Sequence, residues 1–242
     1  VLLEALADEK KVIKDIKIQG MNLIIEYYTE SDTVSDTVSD TGCADTLCPA
    51  TTVSKTDSGG QGLALNYYKS DGSGVSNLST ATGTGSFASG DNCIASNTNS
   101  LAIGKNCVSK GLQGVSLGLN CKAEGDYSVS LGSGNKSNAV ASFTAGGACK
   151  ADGSSSISMG DTCISSGKSS IAMGRTCKAD GASSIAMGDT CTAIGVNSIA
   201  MGVSCTSKDS YGISLGTNCT STASYNGVAI GSNCNSGAEI KT

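Results

Sequence analysis

Cysteine is the residue type whose spacing first suggests chemistry in this chain. Of 12 cysteines in 242 residues, ten recur at steps of fourteen residues, apart from one step of twenty-eight and one of fifteen. They are Cys93, Cys107, Cys121, Cys149, Cys163, Cys177, Cys191, Cys205, Cys219 and Cys234. Cysteine can fill a small buried space, form disulfides or bind metal as thiolate. The regular spacing raises all three possibilities.

A fourteen-residue repeat carries these cysteines. Each lies three residues after a glycine that ends an apolar segment, as in "SIAMGDTC" (184–191) and "SIAMGVSC" (198–205). Apolar and polar residues alternate with period two, which indicates strands. Fourteen residues are too few for a helical crossover between parallel strands. The repeat therefore predicts an all-β parallel solenoid of about eleven coils, each with two short strands.

We expect large apolar residues of the first strand to line the core. Where Phe143 replaces the usual isoleucine, Ala145 replaces methionine, and Phe87 with Ser89 repeats the exchange. Such compensation is typical of a packed space, because overfilling and cavities each cost roughly 1–3 kcal/mol. In the second strand, alanine is expected to point inward with cysteine. The small residues of the first strand are then expected to face outward: Ser130, Ser158, Ala172, Ala186 and Ala200.

The spacing favours a small buried side chain as the role of the repeated cysteines. No histidine occurs in the chain, and no charged residue repeats in a position to tune the sulfurs. Stacked side chains on parallel strands disfavour disulfides between neighbouring coils, although pairs between alternate coils or between chains stay open. The spacing also differs from the C-x₂₋₄-C pattern of structural zinc sites, so no metal and no cofactor is predicted.

Cys43 and Cys48 lie outside the repeat, in "GCADTLCPA" (42–50). A C-x₄-C pair beside the only proline favours a local disulfide over a metal site. Such a disulfide would indicate an oxidising compartment.

The repeat resembles a known one. The pattern S-[IV]-A-[IML]-G-x-x-C-x-[AS]-x-G is similar to the head repeat of YadA-like trimeric autotransporter adhesins, in which alanine or serine usually stands at the cysteine position. "SIAMGRTCKADGAS" (170–183) and "SLAIGKNCVSKGLQ" (100–113) are examples, and the resemblance covers residues 86–234. It implies a left-handed parallel β-roll, a homotrimer and an adhesive head that projects from a cell surface.

The composition divides the chain into three regions. Residues 1–42 are predicted to form an N-terminal strand and assembly segment, which ends in the S-D-T-V linker. Residues 43–85 are transitional and loop-rich, with "GLAL" (62–65) as a decayed first coil, and residues 86–242 hold the cysteine-containing repeats. Neither end of the rod shows a sequence expected to cap it.

Alternating apolar residues in the first region predict one long strand or a bent pair. These residues are Ile16, Ile18, Met21, Leu23, Ile25 and Tyr27. The segment either covers the first coil of its own chain or pairs with a neighbouring subunit.

Function is expected to be structural. The net charge of −5, without clustered Lys or Arg, argues against nucleic acid, and no apolar run is long enough for a membrane-spanning helix. We do not expect an enzyme, because the sequence has no histidine, no nucleophile elbow and no paired carboxylates. We expect a homotrimeric extracellular fibre module, a rigid adhesin or spacer on a cell or virion surface that could bind a host or surface ligand.

Two alternatives stay open. The first is a self-polymerising extracellular filament, joined head to tail through the N-terminal strand. The second is an ice-binding solenoid, which the threonines Thr162, Thr176 and Thr190 suggest.

Overall fold

The computed structural model describes residues 12–19, 22–28, 51–54, 62–67, 79–222 and 225–237. The chain divides into two units, Val1–Ser35 and Asp36–Thr242. In the first unit, β1 (Val12–Gln19) and β2 (Asn22–Tyr28) form an antiparallel pair in which Ile16 lies opposite Ile25. Of the two forms predicted for this segment, the structure therefore has the pair.

The second unit is built from strands of two lengths. Its first described strands are β3 (Thr51–Ser54) and β4 (Leu63–Tyr67). The eleven long strands that follow have five residues each: β6 (Phe87–Asp91), β8 (Leu101–Lys105), β10 (Val115–Leu119), β12 (Val129–Ser133), β14 (Phe143–Gly147), β16 (Ile157–Asp161), β18 (Ile171–Arg175), β20 (Ile185–Asp189), β22 (Ile199–Val203), β24 (Ile213–Thr217) and β26 (Val228–Ser232).

Two-residue strands alternate with the long ones. They are β5 (Thr80–Ala81), β7 (Ile94–Ala95), β9 (Val108–Ser109), β11 (Lys122–Ala123), β13 (Lys136–Ser137), β15 (Lys150–Ala151), β17 (Ile164–Ser165), β19 (Lys178–Ala179), β21 (Thr192–Ala193), β23 (Thr206–Ser207) and β25 (Thr220–Ser221).

The two kinds of strand form two sheets, which confirms the predicted parallel β-solenoid. One sheet has thirteen strands and contains β3, β4 and the long strands, and the other contains the eleven short strands. Neighbouring strands pair in register, so that Ile157 lies beside Ile171 and Ile171 beside Ile185. Residues fourteen apart therefore stack on one another, and no helix occurs in the described part of the chain.

The N-terminal end of the long sheet contains two strands outside the regular repeat. β4 pairs in parallel with β6, with Leu63 beside Phe87, so "GLAL" does belong to a first coil. β3 then pairs with β4 in the antiparallel direction. β3 thus extends the long sheet by one strand at this end, and the expectation that neither end is capped stays a prediction. The repeat period could not reveal β3, because this strand does not share it.

The core contains only small side chains, which corrects the expected arrangement of the long strands. Ser130, Ser158, Ala172, Ala186 and Ala200 are fully buried, whereas the isoleucine and methionine positions lie on the outer face. Among the described residues, no fully buried side chain is larger than asparagine, threonine or cysteine. A coil of fourteen residues has no room for two layers of large side chains. The inward direction of cysteine and of the short-strand alanines is confirmed.

Glycine is required at the position before each turn into the short strand. Gly174 has a φ of +122°, and a Cβ atom there would lie 2.0 Å from the carbonyl oxygen of Gly188 in the next coil. Any other residue would therefore clash with backbone. This contact explains why glycine recurs every fourteen residues.

Candidate functional site, an outer apolar face and an inner cysteine column

The outer surface of the long strands is apolar apart from Ser89, a polar residue that is buried. We call it the apolar face, and it consists of two columns of residues. The first column is Leu63, Phe87, Leu101, Val115, Val129, Phe143, Ile157, Ile171, Ile185, Ile199, Ile213 and Val228. The second column is Ser89, Ile103, Leu117, Leu131, Ala145, Met159, Met173, Met187, Met201, Leu215 and Ile230.

Most of these side chains stay partly exposed. Ile103 and Met201 are each 38% exposed, and Ile230 in the last described coil is 61% exposed. Soluble proteins rarely leave an apolar strip of this length open to water. The apolar face therefore has the character of a contact surface.

Charged residues of several coils border the apolar face, two residues after the second column. Lys105 lies 3.3 Å from Asp91 in the preceding coil, and Arg175 makes two hydrogen bonds to Asp189 in the next coil. The hydrogen bonds from Arg175 lower the pKa of the Asp189 carboxyl. Because these pairs are exposed, they contribute little to stability. They do neutralise charge at the edge of the apolar face.

The ten repeated cysteines form a single column inside the solenoid, which we call the cysteine column. Nine are buried, and only Cys234 in the last coil is partly exposed. Each buried thiol donates a hydrogen bond to the glycine carbonyl of the following coil. One example is Cys177, whose Sγ lies 3.2 Å from the Gly188 oxygen, and the nine distances span 3.0–3.4 Å.

Two non-cysteine residues in this column reveal what the position requires. Ser79 lies fourteen residues before Cys93 and donates to the Gly90 carbonyl at 2.9 Å. Asn135 donates to the Gly146 carbonyl at 2.9 Å, and its side-chain oxygen accepts a hydrogen bond from the Cys149 amide at 2.7 Å. Serine, asparagine and cysteine thus share the same donor role. The predicted role of a small apolar filler is therefore incomplete.

The cysteine column holds free thiols whose pKa values shift in both directions. All ten described cysteines are free, and no group of three or more potential metal ligands occurs in the part of the chain that the structure describes. Burial raises the pKa of Cys191 to about 11. Contact with the Cys149 thiol, together with burial, raises the pKa of Cys163. Contact with the Cys163 thiol in turn lowers the pKa of Cys149 to about 6. The thiols with a raised pKa, such as Cys163 and Cys191, are poor nucleophiles and poor metal ligands, since both roles need the thiolate.

The remaining predicted site residues have different outcomes. Cys43 and Cys48 lie outside the described residues, as does Met21 of the assembly segment. Ile16 and Ile18 lie in β1, and Leu23, Ile25 and Tyr27 lie in β2. Their role in assembly stays a prediction.

The threonines behind the ice-binding alternative stack in the turn after the long strand. Thr162 and Thr190 donate their hydroxyl hydrogens to Asp161 and Asp189. These hydroxyls are therefore engaged within the chain, and the geometry gives no support to an ordered ice-binding array.

Sequence reasoning missed two functional features. It assigned the wrong side of the long strands to the interior, because a period of two does not say which side is inside. It also missed Ser79 as a member of the cysteine column, although the spacing of fourteen residues from Cys93 could have revealed it.

Comparison with known families agrees with the fold. The model of the YadA head domain repeat, which spans two copies, matches at residues 81–106, 109–135, 165–189 and 193–218. YadA head domain repeats are thus detected in the chain, and its 14-residue coils are consistent with a YadA-like head. Among curated proteins, none matches the chain significantly. Within the described residues, no helix is both long and apolar enough to cross a membrane.

Proposed function

We propose that this chain is the rigid, homotrimeric head of an extracellular fibre, which serves as an adhesin or spacer on a cell or virion surface. The observation that carries the proposal is the partly exposed apolar face. YadA head repeats are a structural, adhesin-type module rather than an enzyme family, and such heads associate as trimers on the bacterial surface.

The small core explains why partner chains are needed. Cysteine, alanine and serine supply nearly all the buried side chains, so one chain buries little apolar area for its length. The isoleucine and methionine side chains could supply the missing burial only when another surface covers them. Several solenoids that pack side by side through their apolar faces would then form a thicker fibre.

The proposal is tested by a matched pair of substitutions. Ile171 lies on the apolar face, whereas Ile164 lies on the outer surface of the short strands, where Lys150 and Lys178 are its neighbours in the column. Ile171→Lys should abolish the trimer, because it places an unpaired charge in the contact. Ile164→Lys should leave the trimer intact, because lysine already occupies this position in other coils.

The measurement is the mass in solution by light scattering. The unchanged protein and the Ile164→Lys variant should have the mass of three 24.0 kDa chains. A monomeric unchanged protein, or a trimeric Ile171→Lys variant, would contradict the proposal.

The second candidate is a self-polymerising filament subunit. The observation behind it is that β1 and β2 form a two-stranded sheet of their own, and such pairs are marginally stable without further strands. In a filament, this segment would add to the solenoid of the next subunit as a donor strand. Deletion of residues 1–30 should then abolish fibres seen by negative-stain electron microscopy. Fibres that survive the deletion would exclude this route, and a mass that stays trimeric at every concentration would exclude the filament.

A further inference from the structure

We propose that neighbouring thiols of the cysteine column bind soft monovalent metal ions of the copper group, Cu(I) or Ag(I), with one ion between two sulfurs. Each site is a linear, two-coordinate sulfur–metal–sulfur bridge that joins one coil to the next. The inference does not depend on the proposed homotrimer, because the column lies inside a single chain.

The spacing of the sulfurs fits such a bridge. Residues fourteen apart stack on parallel coils that repeat at ~4.8 Å. The Cys107 thiol accordingly contacts both the Cys93 thiol and the Cys121 thiol. Two metal–sulfur bonds of ~2.3 Å in a line span ~4.6 Å, whereas a disulfide needs its sulfurs only ~2.0 Å apart. A metal ion can therefore bridge stacked cysteines with less movement than a disulfide requires.

Backbone amides already donate hydrogen bonds to the column. The Cys107 amide donates to the Cys93 sulfur. In the same way, the Cys93 amide donates to the Ser79 hydroxyl at 3.1 Å, and the Cys149 amide donates to the Asn135 side-chain oxygen at 2.7 Å. A hydrogen bond to a thiolate stabilises its charge. The column thus supplies donors for the negative charge that two thiolates keep after they bind a monovalent ion.

Binding exchanges protons for the metal ion. Each ion takes the place of two thiol protons and forms two metal–sulfur bonds, so two protons leave to solvent and the site keeps one negative charge. Nothing is oxidised or reduced. The hydrogen bonds of these thiols to glycine carbonyls, such as that from Cys177 to Gly188, are lost. Only ions with strong bonds to thiolate offset this loss.

The same requirement makes the column selective. Thiolate ligands favour soft ions such as Cu(I). The raised pKa of Cys191 adds to this selection, because an ion must displace a tightly held proton. Structural zinc takes four ligands, and the described residues contain no group of three or more potential metal ligands. Two-coordinate ions are therefore the class that the column suits.

The number of sites follows from pairing along the column. A sulfur with one ion above and one below would have its two metal bonds in a line, whereas bonds at sulfur are strongly bent. Each thiolate therefore binds one ion. Asn135 divides the column into a run of three cysteines, Cys93 to Cys121, and a run of seven, Cys149 to Cys234. The first run holds one pair and the second holds three, so the folded chain binds four ions.

The test counts bound Ag(I), which air does not oxidise, in a background of Cys43→Ser and Cys48→Ser. Excess free methionine keeps the ion off the methionines of the apolar face. Two neighbouring substitutions form a matched pair. Cys149→Ser leaves a run of six and should still give four ions. Cys163→Ser isolates Cys149 and leaves a run of five, so it should give three.

A third variant joins the two runs. Asn135→Cys makes one run of eleven cysteines and should raise the count from four ions to five. Ser79 shows that serine can occupy the column and donate to the glycine carbonyl, and circular dichroism checks that each variant is folded. Equal losses in Cys149→Ser and Cys163→Ser, or a count that simply follows the number of thiols, would overturn the pairing.

Two further measurements separate binding to the folded column from binding to unfolded chains. Ions that bind the folded state should raise the Tm by roughly 5 °C or more, because they stabilise only that state. X-ray absorption should show two sulfur neighbours for each silver ion. A Tm that falls on addition of Ag(I), or three or more sulfur neighbours for each ion, would overturn the proposal.

Discussion

At the scale of single residues, the cysteine column is best understood as a line of hydrogen-bond donors. The glycine carbonyl of a coil accepts a hydrogen bond from a side chain eleven residues earlier, or twelve residues earlier for Cys219. Ser79 and Asn135 make the same bond with oxygen- and nitrogen-based side chains. Cysteine adds bulk to this role, since sulfur fills more of the narrow core than oxygen.

Substitution at Cys177 separates hydrogen bonding from bulk. Cys177→Ala should destabilise the solenoid by about 1–3 kcal/mol, because the Gly188 carbonyl loses its side-chain donor. Cys177→Ser should cost less, because Ser79 shows that a hydroxyl can reach the carbonyl. Urea unfolding midpoints would measure the loss of stability in both variants. Cys234→Ala is the control, because Cys234 is partly exposed. Equal losses for alanine and serine at position 177 would show that only bulk matters.

The buried thiols also predict a dependence of stability on pH. Burial raises the pKa of Cys191 from 9.0 to about 11, so the folded state holds this proton more tightly than the unfolded state. The stabilisation is complete below pH 9 and is lost as the pH rises toward 11. Urea midpoints should therefore fall across this range, and less steeply for Cys191→Ser. A urea midpoint that does not change with pH, or that falls equally steeply in the unchanged protein and in Cys191→Ser, would contradict the raised pKa of Cys191.

At the scale of elements, the turns carry strain that the strands do not. Thr176 stands in the turn after β18 with a φ of +55°, where a β-branched residue is unfavourable. Asn92, Asn106 and Asn120 adopt the same conformation in other coils, and their amides hydrogen-bond along the column.

Thr176→Asn should therefore raise stability by roughly 0.5–1 kcal/mol. Thr192→Asn is the matched control, because Thr192 lies in the extended strand β21, where threonine is preferred over asparagine. Thermal unfolding would compare the two variants. Stabilisation at both positions would contradict the turn argument.

Some features of the strands and coils could be predicted from the sequence, and others could not. The glycines and cysteines gave the coil length, the two strands and the stacking register, because these depend only on residue spacing. The inward direction of Cys163 followed from the short-strand alternation around alanine. The direction of Ile157 did not, because the usual rule that large apolar residues lie inside fails when a coil is too narrow to hold them.

The strands outside the repeat could not be predicted from the fourteen-residue period. β3 pairs antiparallel with β4, and neither its partner nor its direction can be read from a fourteen-residue period. Repeated spacing constrains neighbours that share the period, and gives no information on an element that occurs once. The apolar residues were visible in the sequence, but the proposal that they form a contact surface required knowing which side of the strand they occupy.

At the scale of the whole molecule, a solenoid behaves as a chain of nearest neighbours. Each coil is held by backbone ladders to the coils above and below, and its core adds little apolar burial. A contact that runs along the entire rod would add cooperative stability to these nearest-neighbour interactions. The apolar face is continuous over all coils from Leu63 to Ile230, so its coverage would link distant coils into one unit.

Folding and assembly should therefore be coupled, and the melting temperature should depend on protein concentration. For a trimer that unfolds to three chains, a hundredfold increase in concentration stabilises each chain by about 1.8 kcal/mol, which is (2/3)RT ln 100. For a chain of this size, that corresponds to roughly 4–7 °C in Tm. Scanning calorimetry over this range should show the rise, with Ile164→Lys behaving like the unchanged protein. The Ile171→Lys variant should melt lower and without concentration dependence, because its rods stand alone. A Tm that stays constant for the unchanged protein would mean that a single rod is stable without its neighbours.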